Sequence, residues 1–440
     1  MSVIRQLVEA VPLPKMVEIG QRFPNPTVED IDHTVNRAFA AEASSIAWPA
    51  SGEIAVVVGS RGISQIDKVT KAVVSHLKSR GYQPFVIPGM GSHGGATSEG
   101  QKEVLESLGV TEDFVGAPIR ASMEVVQLGQ LSNGLPIYMD KLAHEADGIV
   151  VINRIKPHTA FRGTYESGIV KMIAIGLGKQ KGAESCHKLG FGHMAEHIVQ
   201  VAEVSLRTGA ILAGVAIIEN AYDRIADIQV LPANDILDRE PALLTRAKSL
   251  MPRILLDAFD VLVVDEIGKN ISGDGMDPNI TGRYPTPFAT GGPKVTRICV
   301  RRLTEHTHGN ANGIGLADTT TKQVFEAIDF EKTYPNALTS TVIEPVKLPM
   351  VLENDKLAIQ TAIKTSNLLR EEDVKLVHLR TTLQLDVIRV SESLLPVLNN
   401  RADIEILSDP MEWDFDANGA LNVTRSWCGS YGQNPSHGKG

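Results

Sequence analysis

The chain has 440 residues, of which 43% are hydrophobic and 22% charged, and 52 Asp and Glu against 43 Lys and Arg give a formal net charge of −9. This length predicts more than one domain, and the acidic balance argues against non-specific binding to nucleic acid or to an anionic membrane. No apolar run approaches the ~20 residues of a membrane span, and 3 cysteines are too few for a disulfide framework. Because the start also lacks a signal-peptide pattern, we expect a cytoplasmic protein with reduced thiols.

The first hundred residues alternate between strand and helix signals. Residues 53–63 form a β-branched run that enters a Gly-rich turn, and residues 84–90 form the next such run. Between them, apolar residues recur at helical spacing as far as Gly81. Ser98 with Gln101 predicts a capping box for the helix that follows. This strand–helix–strand–helix order predicts a parallel sheet with helices on its faces.

Other local signals punctuate the chain. Thr27 is expected to cap an early helix. The Asn133-Gly134 pair between two apolar runs predicts a β-hairpin, and residues 147–153 predict another buried strand. A later helix is expected to break at Pro241, because proline cannot donate a backbone hydrogen bond.

The strand pattern restarts after Pro252, which suggests a domain boundary in that region. We therefore predict an α/β fold with two domains. The N-terminal parallel-sheet α/β domain spans residues 1–255 and carries the catalytic groups, and a smaller C-terminal α/β domain spans 256–400. Residues 401–440 are expected to be a C-terminal return and flexible tail, and the active site is expected in the cleft between the two domains.

The stretch from Val151 to Gly190 combines reactive residue types that a structural connector does not need. It contains His158, His187, Cys186 and a lysine, Lys171, in an apolar setting. Histidine can transfer protons or bind a metal near neutral pH, and burial can free a lysine amine for covalent chemistry. This stretch is therefore the leading candidate for a functional segment.

Polar residues also follow several of the predicted strands. Arg61, His93, His158 and Lys269 each come shortly after a strand. Ligands in open α/β sheets bind beyond the carboxyl ends of strands, so we expect these loops to converge. Two histidines could exchange protons with a substrate, while Arg61 and Lys269 could hold its carboxylate. The set suits a small hydroxy- or keto-acid anion.

Three further signals support competing interpretations. Residues 89–94 fit the Gly-x-Gly-x-x-Gly pattern of dinucleotide-binding loops, although the helix begins late. Residues 193–197 fit the His-x-x-Glu-His pattern of inverted zinc proteases, without a visible third ligand. Cys186 could be a nucleophile, but a packed thiol is the more common case.

The motifs R-G-I after the first strand of the sheet, G-S-H after the second, K-P-H later on and a lysine followed by a downstream histidine resemble the nickel-dependent lactate racemase family. The resemblance spans roughly residues 10–400. It implies a nickel-pincer cofactor, the pyridinium-3,5-bisthiocarboxylic acid mononucleotide nickel, tethered covalently to Lys171. It also implies that His187 is the protein ligand to nickel, and the spacing between these two residues suits the family.

The same resemblance implies an isomerase that racemises or epimerises a 2-hydroxy acid by reversible hydride transfer. His93 and His158 would be the catalytic acid/base pair, and Arg61 and Lys269 the contacts to the substrate carboxylate. The chain departs from lactate racemase itself, because its loop around His93 reads G-S-H-G-G where the family has G-T-H-R-P. This change favours a hydroxy acid other than lactate.

The residues leave two alternatives open. One is an NAD-dependent oxidoreductase of a small hydroxy acid, with the dinucleotide at residues 89–94. The other is a non-enzymatic metal-binding protein, in which Cys186, His187, His193 and His197 hold the ion. The expected partners under the leading interpretation are the hydroxy-acid substrate and the enzymes that make the cofactor, and a homo-oligomer is also considered.

Overall fold

The structure is a computed structural model and describes residues 3–60 and 62–422. The strands are β1 Met16–Gln21, β2 Glu53–Val58, β3 Gln83–Pro88, β4 Val125–Gln130, β5 Pro136–Asp140, β6 Gly148–Arg154, β7 Ile211–Glu219, β8 Ile225–Pro232, β9 Ala258–Ile267, β10 Lys294–Leu303, β11 Thr319–Thr321, β12 Met350–Leu352, β13 Leu376–Leu379, β14 Val387–Ser391 and β15 Ile404–Ile406.

The helices are α1 Val3–Val8, α2 Ile31–Ala41, α3 Ile66–Ser79, α4 Ser98–Ser107, α5 Glu112–Val115, α6 Lys141–Glu145, α7 Ile169–Lys171, α8 Lys179–His187, α9 Met194–Arg207, α10 Ile236–Leu250, α11 Pro278–Thr281, α12 Lys322–Ala327, α13 Phe330–Ser340, α14 Asp355–Lys364 and α15 Leu395–Leu398. A π-helical turn, Met172–Gly176, continues directly from α7. No helix within the described residues is long and apolar enough to cross a membrane.

The central unit, Pro24–Met251, contains a sheet in the order β3-β2-β6-β7-β8. The first four of these strands run parallel, and β8 returns antiparallel to β7. Val56, Val86, Val150 and Val215 belong to one apolar core beneath helices of this unit. Strands buried on both faces are typical of parallel sheets, so the predicted α/β class with a parallel sheet is confirmed.

Two of the predicted helix starts are wrong by one to three residues. Asp30, not Thr27, caps α2, because its Oδ1 accepts the N–H of His33 at 2.8 Å. Thr97, not Ser98, caps α4 by accepting the N–H of Gly100 at 3.1 Å. Both are short polar side chains of the type that satisfies exposed N–H groups at a helix start.

The expected break at Pro241 is also wrong, because α10 runs through it. A proline in a helix leaves the carbonyl four residues earlier without its usual donor. Here that carbonyl belongs to Leu237, and it accepts a hydrogen bond from the hydroxyl group of Tyr165 at 2.5 Å. The tyrosine replaces the missing backbone donor, which is one reason why the helix continues.

The terminal unit combines the described residues before Pro24 with those from Pro252 onward. Its sheet has the order β12-β11-β10-β9-β13-β14-β1-β15. The strands from β12 to β13 run parallel, whereas β14 pairs antiparallel with both β13 and β1. This unit therefore also has a largely parallel sheet.

The division of the chain differs at its start from the predicted 1–255, 256–400 and 401–440. Strand β1 pairs with β14 and β15, so the first segment of the chain belongs to the terminal unit. These pairings join residues almost four hundred positions apart, and no local pattern in the sequence indicates them. The last part of the expected tail, residues 423–440, lies outside the described residues.

Candidate functional site

The carboxyl ends of three adjacent strands lie level in the central unit. Val58 at the end of β2 is in register with Pro88 of β3 and with Ile152 of β6. The loops that carry Ser60, His93 and His158 therefore leave the same edge of the sheet, as the sequence predicts. Arg61 belongs to the first of these loops but lies outside the described residues.

The first two loops meet through their side chains. Oγ of Ser60 is in hydrogen-bond contact with Nδ1 of His93. This contact orients the ring of His93 through Nδ1. His93 is exposed to solvent. Imidazole is a side chain that can exchange a proton near neutral pH.

His158 and Lys171 form the central pair of the site. Nζ of Lys171 lies 2.7 Å from Nε2 of His158, while the other ring nitrogen, Nδ1, accepts the N–H of Ala160 at 3.0 Å. An accepting Nδ1 carries no proton, so the neutral ring carries its proton on Nε2. In this tautomer the Nε2–H faces Nζ, and it can donate to Lys171 when the lysine is a neutral amine, because the ammonium group has no lone pair.

Electrostatics favour a neutral ring at His158. Burial lowers the pKa of His158 well below its ordinary value, and positive charge at Lys171 lowers it further. Two charged groups at this separation would repel each other in a desolvated setting. Burial and this repulsion therefore favour a neutral imidazole at His158.

His187 lies at the end of α8, the helix that follows the π-turn after Lys171. Its Nδ1 is buried and has no hydrogen-bond partner among the described residues. Burial and the charge of Lys171 lower the pKa of His187 to about 4. Phe191 packs edge-on against the ring, with 5.2 Å between centroids. A neutral imidazole with an unsatisfied nitrogen has the chemistry of a metal ligand.

A buried carboxylate fixes the loop of His158. Oε2 of Glu166 accepts the N–H of His158 at 2.7 Å and pairs with Arg162 at 3.2 Å. Its other oxygen pairs with Lys248 at 2.6 Å. The side chain of Arg162 also donates to the carbonyl of His158 at 2.5 Å. Sequence analysis missed Glu166, because its partners come from a separate helix and from a loop of irregular shape.

A second buried carboxylate caps the helical segment of Lys171. Oε2 of Glu240, from α10, accepts the N–H of Val170 at 3.0 Å. Its other oxygen lies so close to Gly168 that a side chain at that position would collide with it. Burial raises the pKa of Glu240 to about 7, against the opposing effect of the backbone hydrogen bonds. This long-range cap was also absent from the sequence prediction.

The loop of His93 packs against the π-turn after Lys171 without intervening side chains. The N–H of Gly91 donates to the carbonyl of Gly176 at 3.4 Å. A Cβ atom at Gly176 would lie 2.8 Å from the carbonyl oxygen of Gly89 and would also collide with Met172. Glycine is therefore required for this close approach.

Lys269 is placed differently from the other predicted site residues. It follows β9, which belongs to the sheet of the terminal unit, so the argument from a shared sheet edge does not apply to it. Its Nζ donates to the carbonyl of Gly273 at 2.7 Å, and its backbone N–H donates to the hydroxyl oxygen of Thr307 at 3.1 Å. Its role in binding a carboxylate stays a prediction.

The competing motifs find little support in the geometry. In the glycine-rich loop, the N–H groups of Gly89, Gly91 and His93 all donate to protein carbonyls, which removes them from phosphate binding. In the His-x-x-Glu-His stretch, Nε2 of His197 interacts with the amide of Asn133 at 3.1 Å. No group of three or more His, Cys, Asp or Glu side chains in residues 3–60 and 62–422 could hold a metal ion. Burial raises the pKa of Cys186 to about 12, so this thiol is unreactive.

Comparison with known proteins gives a family match for the segment that carries most of the candidate site. Residues 13–198, which include His93, His158, Lys171 and His187, match the family model of the lactate racemase N-terminal domain. The resemblance drawn from the motifs is thereby confirmed over this segment of the chain.

Among solved structures, the chain is similar to the lactate racemase apoprotein from Thermoanaerobacterium thermosaccharolyticum. The two are 12% identical, with a TM-score of 0.45, and the match covers 77% of this chain and 87% of that one. No curated protein matches the chain.

Proposed function

We propose that this protein racemises or epimerises a 2-hydroxy acid, using a nickel-pincer cofactor bound covalently to Lys171. The observation that carries this proposal is the 2.7 Å contact between Nζ of Lys171 and Nε2 of His158, in a segment that also holds the unsatisfied Nδ1 of His187. The match to the lactate racemase family model supports the reaction class.

The residues present fit the chemistry of such a group. A neutral amine is the nucleophilic form of lysine, and only this form can make an amide-type bond to a carboxyl derivative. The unpartnered nitrogen of His187 would supply the protein ligand to nickel, because imidazole nitrogen suits this metal. The chemistry that such a cofactor would supply at this site is reversible hydride transfer with C2 of the substrate.

The protein would then supply binding and proton transfer. His93 and His158 are the proposed acid/base pair: one takes the proton of the substrate hydroxyl group, and the other can return it. Arg61 and Lys269 are the proposed carboxylate contacts, since a fixed cation orients an anionic substrate. Gly94 and Gly95 follow His93 where the family has arginine and proline, which favours a hydroxy acid larger than lactate.

The cofactor would have to be supplied by the enzymes that make it, and these are the proposed partners. Protein from a host with this pathway should carry an adduct of several hundred daltons on Lys171, together with nickel. The measurement is intact mass, peptide mapping and nickel analysis on one sample. Protein from a host that lacks the pathway should be unmodified.

Two variants and one control sharpen this test. Lys171→Ala should abolish both the adduct and the nickel, whereas His187→Ala should keep the adduct and lose most of the nickel. Lys181→Ala is the matched control. Lys181 is exposed on α8, the helix that also carries His187, so its loss should change neither the adduct nor the nickel content. An unmodified Lys171 in wild-type protein from the competent host would refute the proposal.

A further inference from the structure

Lys179 is a buried charged residue that the proposed chemistry does not use. It begins α8, midway between Lys171 and His187 in the sequence, and its relative exposure is 0%. Its backbone has φ of +53°, a left-handed conformation that is uncommon for residues other than glycine. Such a conformation persists only where the surrounding contacts hold it in place.

The ammonium group of Lys179 connects three parts of the central unit. It donates to the carbonyl of Pro88 at 2.6 Å and to Oε1 of Gln101 at 3.1 Å. It also forms an ion pair with Oδ2 of Asp140 at 2.9 Å, off the ideal hydrogen-bond direction. The other oxygen of Asp140 is already used, because it caps α6 through the N–H of Ala143.

Gln101 extends these contacts to the loop of His93. Its amide nitrogen donates to the carbonyl of Gly91 at 2.9 Å and to the carbonyl of His93 itself at 3.2 Å. Lys179 and Gln101 together thus bind the backbone carbonyls of Pro88, Gly91 and His93. These contacts take the place of the capping box that the sequence predicts for Gln101.

We propose that Lys179 is a positioning residue, which fixes the His93 loop to the helical segment that carries Lys171 and His187. Its relevance to turnover rests on the proposed function. A buried ion pair is poor evidence for a purely stabilising role, since well-packed apolar residues often replace one without loss. What apolar residues could not replace is the pair of directed bonds to Pro88 and Gln101, and these set the position of the proton-transferring loop.

The test separates loop positioning from stability. Lys179→Met alone would leave Asp140 as an unpaired buried charge, so we pair it with Asp140→Asn, which retains an oxygen for the cap of α6. Hydrogen exchange of the unloaded protein, followed by mass spectrometry, should show residues 89–96 exchanging at least about tenfold faster in the double variant. The rest of the central unit should stay close to wild type.

A spectroscopic measurement checks the catalytic consequence. The Nδ1 resonance of His93 in nitrogen-15 spectra reports its contact with Ser60, and it should shift in the double variant. Ser185→Ala is the matched control: Ser185 binds the carbonyl of Pro136 from the same helix at 2.7 Å, away from the His93 loop. This control should leave both the exchange and the resonance unchanged.

Two results of the exchange measurement would contradict the proposed role of Lys179. Unchanged exchange in residues 89–96, or a uniform rise across the central unit, would overturn the proposal. If the double variant does not fold, Gln101→Met decides, because it cuts the link to Gly91 and His93 without unpairing a charge. Both measurements use unloaded protein, so they test Lys179 even if Lys171 proves to carry no cofactor.

Discussion

Nζ of Lys171 and Nε2 of His158 are 2.7 Å apart, and the amide of Ala160 determines which of them carries the shared proton. Because this amide occupies Nδ1, the neutral imidazole carries its proton on Nε2, where it can donate to Lys171 once the lysine is a neutral amine. The backbone N–H of Ala160 thus sets the tautomer of His158, and this tautomer places an N–H next to Nζ of Lys171.

The neutral amine should be detectable by chemical labelling of the unloaded protein. At pH 7 an ordinary lysine is almost entirely ammonium, with less than ~0.1% in the reactive form. A trace amount of an acylating reagent should therefore modify Lys171 at least about tenfold faster than the exposed Lys181. His158→Phe, which keeps a ring but removes the donor, should lower the rate at Lys171. Equal rates at both lysines in wild-type protein would show that the proton assignment is wrong.

Glu240 should make stability depend on pH. Its pKa is raised from 4.5 to about 7, so between these values the folded protein keeps a proton that the unfolded chain has lost. The contribution to the free energy of unfolding is therefore complete below pH 4.5 and is lost as the pH rises through 7, by roughly 3 kcal/mol.

The comparison for this prediction is Glu240→Gln, which keeps an acceptor oxygen but cannot titrate. Urea unfolding of both proteins at about pH 4.5 and pH 8 cancels the contributions of His158 and His187, which titrate in both. The variant should gain roughly 3 kcal/mol relative to wild type over this range. A stability difference that stays constant with pH would contradict the raised pKa.

The close approach at Gly176 should be sensitive to a single methyl group. Gly176→Ala would place Cβ 2.8 Å from the carbonyl oxygen of Gly89, and backbone atoms cannot move aside as a flexible side chain can. We expect a loss of about 1–3 kcal/mol in the free energy of unfolding. Thermal or urea unfolding measures the change.

Gly182→Ala provides the matched control from the same helical segment. Its Cβ would meet the carbonyl oxygen of Ala174 at 3.4 Å, an ordinary contact distance. Because alanine favours helix over glycine, this variant should be as stable as wild type or more stable by about 0.5–1 kcal/mol. Similar losses of stability in both variants would mean that an added methyl group is not tolerated at either position, whatever its contacts.

The sequence predicts those parts of the site that depend on local pattern. The β-branched runs at β2, β3 and β6 predict adjacent parallel strands, and strand ends predict where His93 and His158 lie. The apolar setting of Lys171 singles it out because its neighbours are adjacent in the chain. These features require only the periodicity of strands and the geometry of parallel sheets.

The supporting residues depend on contacts between distant segments, and the sequence does not predict them. Glu240 reaches Val170 from a helix 70 positions away, and Lys179 reaches Pro88 across 91 positions. One signal for Lys179 was nevertheless present. It follows an apolar run just as Lys171 does, and the same argument applied to both lysines would have identified it.

The pairing of β1 with β14 has a consequence for biosynthesis. Met16 is in register with Ser391, so these two strands of the terminal sheet cannot pair until Ser391 has left the ribosome. The central unit is complete once Met251 has emerged, and its strands pair within that span. Domains generally fold as their sequence becomes available during translation. The segment that carries Lys171 can therefore fold before β1 is able to pair with β14 and β15.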